Sequence, residues 1–162
     1  MGNSGLKWGK VETRSGPIML LGEHEHTIDD KNRLTLPAKF REAMADGVVV
    51  TRGMDGCLYA YPRNEWLERF QSRVGGLDPL QPEARKLQRH FFSGAAEAEP
   101  DKQGRIMIPA PLLSYAGLSR DVVVAGVHDH LEIWDREAWR RELNDVEGSA
   151  EHVAERLAAQ RD

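Results

Sequence analysis

Two short stretches of this chain carry an aspartate and an arginine at the same spacing, and these residues are the best suited to chemistry. Residues 29 to 40 read DDKNRLTLPAKF, and residues 101 to 112 read DKQGRIMIPAPL. In both, the aspartate precedes the arginine by four positions across a polar turn. A carboxylate and a guanidinium placed in this way can form a bidentate ion pair, which fixes the rotamer of the arginine. One pair alone could be a hairpin staple, whereas two indicate a paired surface that presents arginines.

The match between the two stretches extends beyond the aspartate and the arginine. At a constant offset of 72 residues, four apolar or proline positions also coincide: Leu34 with Ile106, Leu36 with Ile108, Pro37 with Pro109 and Ala38 with Ala110. A second pair of stretches, LYAYPRNEW at 58 to 66 and LEIWDREAW at 131 to 139, matches at an offset of 73. Self-similarity of this extent indicates two copies of one structural unit.

Each copy predicts the same order of elements: strand, strand, short helix, strand, strand, helix. In the first copy, these are EHEHTI, RLTL, AKFREAM after Pro37, VVVTR, LYAY and NEWLERFQSRV. In the second copy, they are SGAAEAE, RIMI, a helix from Pro109 to Ala116, VVVAGV, LEIW and a helix from about Arg136. Period-2 alternation and β-branched residues favour the strands, and proline suits the first turn of each short helix.

The turns that carry the aspartate and the arginine also have suitable backbone chemistry. Gly104 is suited to a positive φ in the second turn, and its counterpart Asn32 is the next most tolerant residue type. We therefore expect these two residues to support equivalent turns, although a side chain is present in only one of them.

The repeats predict an α+β protein whose two halves are related by an approximate two-fold axis. We divide the chain into a flexible N-terminal extension (1–18), a first repeat (19–75), a linker helix (76–92), a second repeat (93–146) and a C-terminal tail (147–162). Each half alone would leave an unpaired sheet edge. The two halves are therefore expected to bury their apolar strand faces against each other.

Composition places the chain among proteins of a reducing compartment. It has no run of about 18 apolar residues, and its first 16 residues, MGNSGLKWGKVETRSG, lack the apolar region of a signal peptide. The single cysteine, Cys57, cannot form an internal disulfide. We expect a cytoplasmic protein without a membrane span.

The charge of the chain is unevenly distributed. The net charge is -4, which at first argues against a nucleic-acid partner because phosphate contacts need positive charge. Residues 129 to 162 hold ten acidic and five basic side chains, and they account for the acidic excess. Residues 29 to 41 are locally basic, with four lysines and arginines against two aspartates. A basic surface around the first arginine is thus compatible with an acidic total.

These stretches resemble a known family. LGEHEHTIDDKNRLTLPAKFRE at 21 to 42, EPDKQGRIMIP at 99 to 109 and DHLEIWD at 129 to 135 are similar to the MraZ family, transcriptional regulators built from two fused AbrB-like units. The resemblance covers roughly residues 19 to 145. It implies a swapped-hairpin β-barrel, a ring-shaped homo-oligomer and no catalysis. It also implies a nucleoid-associated repressor that binds repeated boxes in double-stranded DNA upstream of the division and cell-wall gene cluster.

The resemblance also implies a set of DNA-binding residues. The matching positions are Asp29 and Arg33 in the first turn, and Asp101 and Arg105 in the second. An arginine held as a fork can donate two hydrogen bonds to guanine O6 and N7. The two turn lysines are expected to contact phosphate instead. These lysines are Lys31 and Lys102. One departure from the family is Asn32, which stands where such proteins usually have glycine.

A metal site or a reactive thiol is a weaker interpretation of the remaining chemistry-bearing residues. His24 and His26 lie two apart on one strand, as do His128 and His130 around a turn. A metal-dependent hydrolase would need three or four convergent ligands, so we expect exposed strand histidines, no metal and no cofactor. Cys57 has no nucleophilic partner recognisable from sequence, and we expect a half-buried strand residue.

Two further interpretations stay open at the level of sequence. Trp66 and Trp139 occupy equivalent helix positions, and we expect them in the core rather than stacked on bases. The chain could also be a protein-interaction or assembly module without specific DNA binding, because its acidic C-terminal part could face a basic partner. Such a module would show no salt-dependent preference for its own upstream DNA.

Overall fold

The computed structural model describes residues 19–161, and the proposed N-terminal extension 1–18 lies outside them. The chain is α+β, as predicted. Within the described residues, the strands are β1 (Leu20–Thr27), β2 (Arg33–Thr35), β3 (Val48–Arg52), β4 (Leu58–Pro62), β5 (Ala96–Ala98), β6 (Arg105–Met107), β7 (Asp121–His128) and β8 (Leu131–Asp135). All strand pairings among them are antiparallel.

Helical segments flank these strands. A 3-10 turn, Ala38–Phe40, follows β2, and α1 (Arg63–Glu65), a π-helical turn (Trp66–Phe70) and α2 (Gln71–Gly75) follow β4. The others are α3 (Pro82–Phe92), α4 (Ala110–Tyr115) and α5 (Arg136–Gln160). None of the helices between residues 19 and 161 has the length and apolar character needed to span a membrane.

The two repeats exchange strands. The first strand of each repeat pairs with the third strand of the other, so that β1 pairs with β7 and β5 pairs with β3. The hairpin strands β4 and β8 pair with each other at the centre. The resulting six-stranded sheet has the order β1-β7-β8-β4-β3-β5. The second strands, β2 and β6, form a separate two-stranded sheet.

The six-stranded sheet is open, so the expected closed barrel is wrong. Closure would require the edge strands β1 and β5 to pair, and no such pairing occurs among the described strands. The edges are unequal, because β1 has eight residues and β5 has three. A short edge strand limits further pairing, which is one way that sheets protect their edges.

The two-stranded sheet lies on the axis that relates the repeats. Its register pairs Leu34 with Ile106, which are equivalent residues of the two copies. The flanking pairs, Arg33 with Met107 and Thr35 with Arg105, exchange when the two repeats are exchanged. The local two-fold relation predicted from the repeat is thus present in the strand register.

The main core lies beneath this two-stranded sheet. Leu34 and Leu36 of the first repeat are fully buried there, as are Ile106 and Ile108 of the second. Aliphatic side chains of the large sheet complete the cluster, including Val48, Val50, Val122, Val124, Leu131 and Ile133. The apolar alternation of the repeated motif therefore forms the face that joins the two sheets.

A second, aromatic core lies between the first repeat and the linker helix. It contains Tyr61, Trp66, Phe70 and Phe91, and it packs the helices after β4 and α3 onto the sheet. Trp66 is 7% exposed, which agrees with the expected core position. Trp139 is only partly buried and donates its indole N–H to Glu23 at 3.2 Å, so the expectation of a core residue is wrong there.

Candidate functional site

The first arginine turn is built around the carboxylate of Asp29. Its Oδ1 accepts hydrogen bonds from the backbone amides of Lys31 and Arg33, each at 2.9 Å. Its Oδ2 accepts from Nε of Arg33 at 2.8 Å. The backbone closes the turn, because the Asp29 amide donates to the Arg33 carbonyl at 3.0 Å. One carboxylate thus shapes the loop and orients the guanidinium.

The second arginine turn repeats this geometry. Oδ1 of Asp101 accepts from the amides of Gln103 and Arg105 at 2.9 Å, and Oδ2 accepts from Nε of Arg105 at 2.7 Å. The Asp101 amide donates to the Arg105 carbonyl at 3.0 Å. The sequence-predicted aspartates and arginines therefore form two equivalent sites, which we call the arginine turns.

The ion pair differs from the predicted fork-to-fork arrangement. Each aspartate contacts Nε and the backbone amide of its arginine, rather than two guanidinium nitrogens. Within the described residues, the Nη1 and Nη2 atoms of Arg33 and Arg105 have no hydrogen-bond partner. Since Nε is fixed, the outer edge of each guanidinium is left as a pair of parallel donors.

The electrostatics of the aspartates match this geometry. The pKa of Asp29 lies below its usual value, first because the Arg33 amide donates to the carboxylate and further because of the guanidinium. The pKa of Asp101 is lowered by the same contacts from Arg105. Both aspartates are therefore anions at neutral pH, and both ion pairs are formed there.

Asn32 and Gly104 hold the two turns in the same backbone shape. Their φ angles are 63° and 79°, both in the left-handed region. Gly104 has a second constraint, because a Cβ there would lie 2.5 Å from Nε of Arg41. At the position of the second repeat equivalent to Arg41, the residue is Leu113, which is buried. A side chain at position 104 would therefore require Arg41 to shift.

The two arginines lie on one face. In the two-stranded sheet, hereafter the arginine ribbon (β2 with β6), Leu34 and Ile106 point into the core. Strand side chains alternate between faces, so Arg33 and Arg105 share the opposite, outer face. The antiparallel register places them diagonally, one on each strand. The ribbon therefore presents two guanidiniums from two repeats on one surface.

The turn lysines are not equivalent to each other. Lys31 and Lys102 are both exposed, but their counterparts in the other turn are Gln103 and Asp30.

Arg41 also belongs to the site, although the sequence did not predict it. It donates Nε to the Leu36 carbonyl at 3.0 Å and lies against the second turn. Its only sequence signal was the basic cluster of residues 29 to 41.

The histidines do not form a metal site in the part of the chain that the structure describes, where no group of three or more candidate ligands occurs. His24 and His26 are partly buried rather than exposed, and His24 packs edge-on against Phe40 at 5.4 Å. Burial, followed by the nearby charges, lowers the pKa of His26. Exposure was also the wrong expectation for His130, whose side chain is only 12% exposed and contacts two carboxylates.

Cys57 is also unsuited to nucleophilic chemistry. It is fully buried, not half-buried as predicted. Burial, reinforced by nearby carboxylates, raises the pKa of its thiol far above its ordinary value. The thiol is protonated at neutral pH, which removes the nucleophilic form.

Comparison with known proteins shows the family of the chain. The family described as "MraZ protein, putative antitoxin-like" matches residues 19–90 and again residues 91–161. A transcriptional regulator MraZ from Heliobacterium modesticaldum is 46% identical over 139 residues, which cover 86% of this chain and 96% of that protein. The protein of the same name from Roseiflexus castenholzii is 47% identical over 86% of this chain and 97% of its own length.

A third relative is more similar over a shorter span. The transcriptional regulator MraZ of Limosilactobacillus fermentum is 52% identical over 121 residues, 75% of this chain and 84% of that protein. Both repeats are matched by the family, and the relatives are named as regulators rather than enzymes. The chain belongs to the MraZ family of transcriptional regulators.

Proposed function

We propose that this protein is a transcriptional regulator that binds double-stranded DNA in a sequence-specific manner through its two arginine turns. The observation that carries the proposal is the pair of guanidiniums on one face, each held at Nε by an aspartate. A held arginine loses less conformational entropy on binding than a free one. The two aspartates thus act as positioning residues for two arginines that contact DNA.

The arginine ribbon is an element of a kind that the major groove admits. A two-stranded β-ribbon fits that groove, where guanine presents O6 and N7 as adjacent acceptors. The free Nη1 and Nη2 atoms of Arg33 and Arg105 can donate to this pair, a contact that discriminates against other bases by about 1 to 3 kcal/mol. Lys31 and Lys102 would then contact phosphates and add affinity without sequence preference.

We further propose that several protomers act together, as a ring that binds repeated boxes upstream of the division and cell-wall genes and represses them. One protomer of net charge -4 offers few phosphate contacts, so a single box would be bound weakly. Simultaneous contacts from linked copies can raise the overall affinity by about 100- to 10,000-fold. As part of the same proposal, the protein is a repressor located in the cytoplasm and associated with the nucleoid.

The proposal is tested by removing each guanidinium separately. Arg33→Ala and Arg105→Ala should each abolish the specific gel shift of DNA from upstream of the protein's own gene, while native mass measurement shows an unchanged assembly. Arg156→Ala, on the exposed part of α5, removes the same charge away from the arginine turns and should bind as the unmodified protein does.

Two results would contradict the proposal. One is unchanged specific binding by both arginine variants. The other is binding by the unmodified protein that shows no preference for upstream DNA over random DNA at any salt concentration. The second result would favour the protein-interaction module, because a DNA-binding protein loses affinity steeply as salt rises.

A further inference from the structure

The outer face of the arginine ribbon is symmetric in its arginines but not in its other two residues. The residue paired with Arg33 across the ribbon is Met107, and the residue paired with Arg105 is Thr35. These two positions are equivalent in the repeats, at the offset of 72 residues. A long thioether therefore lies beside one arginine, and a short hydroxyl side chain lies beside the other.

The fold does not explain the methionine. Its neighbours Ile106 and Ile108 are 1% and 0% exposed, whereas Met107 is 61% exposed. Exposed apolar side chains are common, so exposure alone carries no meaning. What matters is the position, because paired residues of an antiparallel ribbon have Cβ atoms about 4.5 to 5.5 Å apart. Met107 is thus the apolar side chain next to a guanidinium with two free donors.

DNA offers one apolar group in the major groove that such a side chain can contact. That group is the 5-methyl of thymine, and contacts between it and apolar side chains contribute to direct readout. Methionine is flexible and polarizable, and it adapts to an irregular surface. If Arg33 donates to a guanine, the side chain beside it reaches the edge of a neighbouring base.

We propose that Met107 is a specificity-determining residue that contacts the 5-methyl of a thymine adjacent to the guanine bound by Arg33. Thr35, beside Arg105, has a shorter side chain that does not reach the methyl group at the related position. The two halves of the ribbon then select unlike half-sites, and one box is not a palindrome. This inference rests on the proposed function, because it needs the ribbon to lie in the major groove.

The test uses a duplex with a single box, in which each thymine is replaced in turn by uracil. Uracil lacks only the 5-methyl group and keeps the hydrogen-bonding pattern. The unmodified protein should lose about three- to five-fold in affinity at one position beside the Arg33 guanine, as expected for one methyl contact. Met107→Thr should lose affinity for the normal duplex and should no longer distinguish thymine from uracil there.

Two further variants and a control complete the experiment. Met107→Leu keeps an apolar side chain and should keep the sensitivity to uracil. Thr35→Met should create a second sensitive position, related to the first by the two-fold axis of the ribbon. Met54→Thr alters another exposed methionine, in the turn between β3 and β4, and should change nothing. Thermal unfolding of each variant confirms that the fold is retained.

Failure of this inference is distinguishable from failure of the proposed function. If Arg33→Ala abolishes specific binding but no uracil substitution affects the unmodified protein, the arginines bind DNA and Met107 does not. Equal uracil sensitivity of the unmodified protein and Met107→Thr would likewise assign the methyl contact to another residue. If the unmodified protein has no specific binding, both proposals are wrong.

Discussion

At the scale of single residues, each arginine turn depends on an aspartate whose two oxygens act on different parts of the chain. Oδ1 of Asp29 holds backbone amides, and Oδ2 holds the guanidinium of Arg33. Because both side chains are partly exposed, solvent screens this ion pair and lowers its contribution to stability. The repeated Asp-x-x-x-Arg spacing was enough to predict this pair, because all the partners lie within five consecutive residues.

The contact between Arg41 and Gly104 was not predictable in the same way. The two residues are far apart in sequence, and they meet only because the ribbon brings the repeats together. A positive φ explains a glycine or an asparagine, but it does not explain why the second turn has glycine. The structure adds one constraint there, because the side chain of Arg41 occupies the space of a Cβ and would have to shift.

We predict that Gly104→Asn and Arg41→Leu are coupled. Asparagine tolerates the backbone of the turn, as Asn32 shows with its φ of 63°, but its Cβ would displace Arg41 from the Leu36 carbonyl. The single variant Gly104→Asn should therefore lose about 1 kcal/mol of unfolding free energy. In the double variant, leucine removes the conflict, and the loss should be smaller than the sum of the single losses.

The coupling is measured by urea unfolding of the four proteins in a double-mutant cycle. A coupling energy of about 0.5 kcal/mol or more is expected for residues in contact. Gly104→Ala serves as a control, because alanine has a Cβ but disfavours a positive φ, so Arg41→Leu should rescue it less well. Strict additivity of the two substitutions would show that Arg41 does not restrict the second turn.

His130 provides a pH dependence of stability. Burial by itself would lower the pKa of this histidine, but hydrogen bonds to Glu132 and Asp129 outweigh burial, and the pKa is raised. The rings of Tyr59 and Tyr61 pack against the imidazole at 4.7 and 4.9 Å. A raised pKa means that the folded state binds the proton more tightly than the unfolded state does.

The sign of the effect follows from this difference. The contribution of His130 to stability is fully present below its ordinary pKa of 6.5, and it is lost as pH rises through the higher pKa of the folded state. We expect the melting temperature to fall as pH rises above about 6.5, and the fall to be smaller in His130→Gln. His152→Gln changes an exposed histidine of α5 and should leave the profile unaltered. Identical profiles for His130→Gln and the unmodified protein would contradict the assignment.

At the scale of elements, the local patterns predicted the strands and helices well, but they did not predict whether the strands form a closed barrel or an open sheet. Leu34 and Leu36 alternate as expected and are buried, as are their counterparts in the second repeat. Whether β1 and β5 meet depends on long-range pairing and on the length of each edge strand, which alternation does not encode. The closed barrel was inferred from a resemblance, and the open sheet corrects it.

The linker helix α3 is fixed to the large sheet through its C-terminal end. Arg52 of β3 donates Nε to the His90 carbonyl at 3.0 Å and Nη2 to the Arg89 carbonyl at 3.3 Å. The same Nη2 lies 3.1 Å from the hydroxyl of Ser93. The last carbonyls of a helix lack partners within the helix, and a cation there also interacts favourably with the helix dipole.

We predict that Arg52→Ala lowers the free energy of unfolding by about 1 to 3 kcal/mol, because it leaves these carbonyls without their charged donor. Arg52→Lys should retain part of the stability, since one ammonium cannot reproduce the planar set of donors. Lys86→Ala, on the exposed side of the same helix, is the matched control and should have little effect. Urea unfolding measures the free energy of unfolding of each variant, which should be lowest for Arg52→Ala, intermediate for Arg52→Lys and highest for Lys86→Ala. Equal stability of the two alanine variants would rule out this role for Arg52.

At the scale of the whole molecule, charge is separated between the ribbon and the C-terminal helix. The locally basic stretch of residues 29 to 41 supplies half of the ribbon, whereas α5 carries six acidic and four basic side chains, a net charge of -2. Residues 151–160 of α5 are exposed throughout. An anionic helix is repelled by DNA, so it favours binding orientations in which the ribbon faces the duplex and α5 points away.

With so few basic groups, one protomer can bind DNA only weakly. The proposed ring should therefore bind DNA with several boxes much more tightly than DNA with one box. Each ribbon offers two guanidiniums and two turn lysines, too few contacts for tight binding at physiological salt. If linked protomers engage repeated boxes together, DNA with three boxes should be bound about 100- to 10,000-fold more tightly than DNA with one. Inserting about 5 base pairs between boxes turns the next box to the opposite side of the duplex and should remove most of this gain. Fluorescence anisotropy measures the affinity for the three duplexes, which carry one box, three boxes and three boxes with the insertion. If three boxes raise the affinity by no more than three-fold, the protomers bind independently, whatever the mass of the assembly.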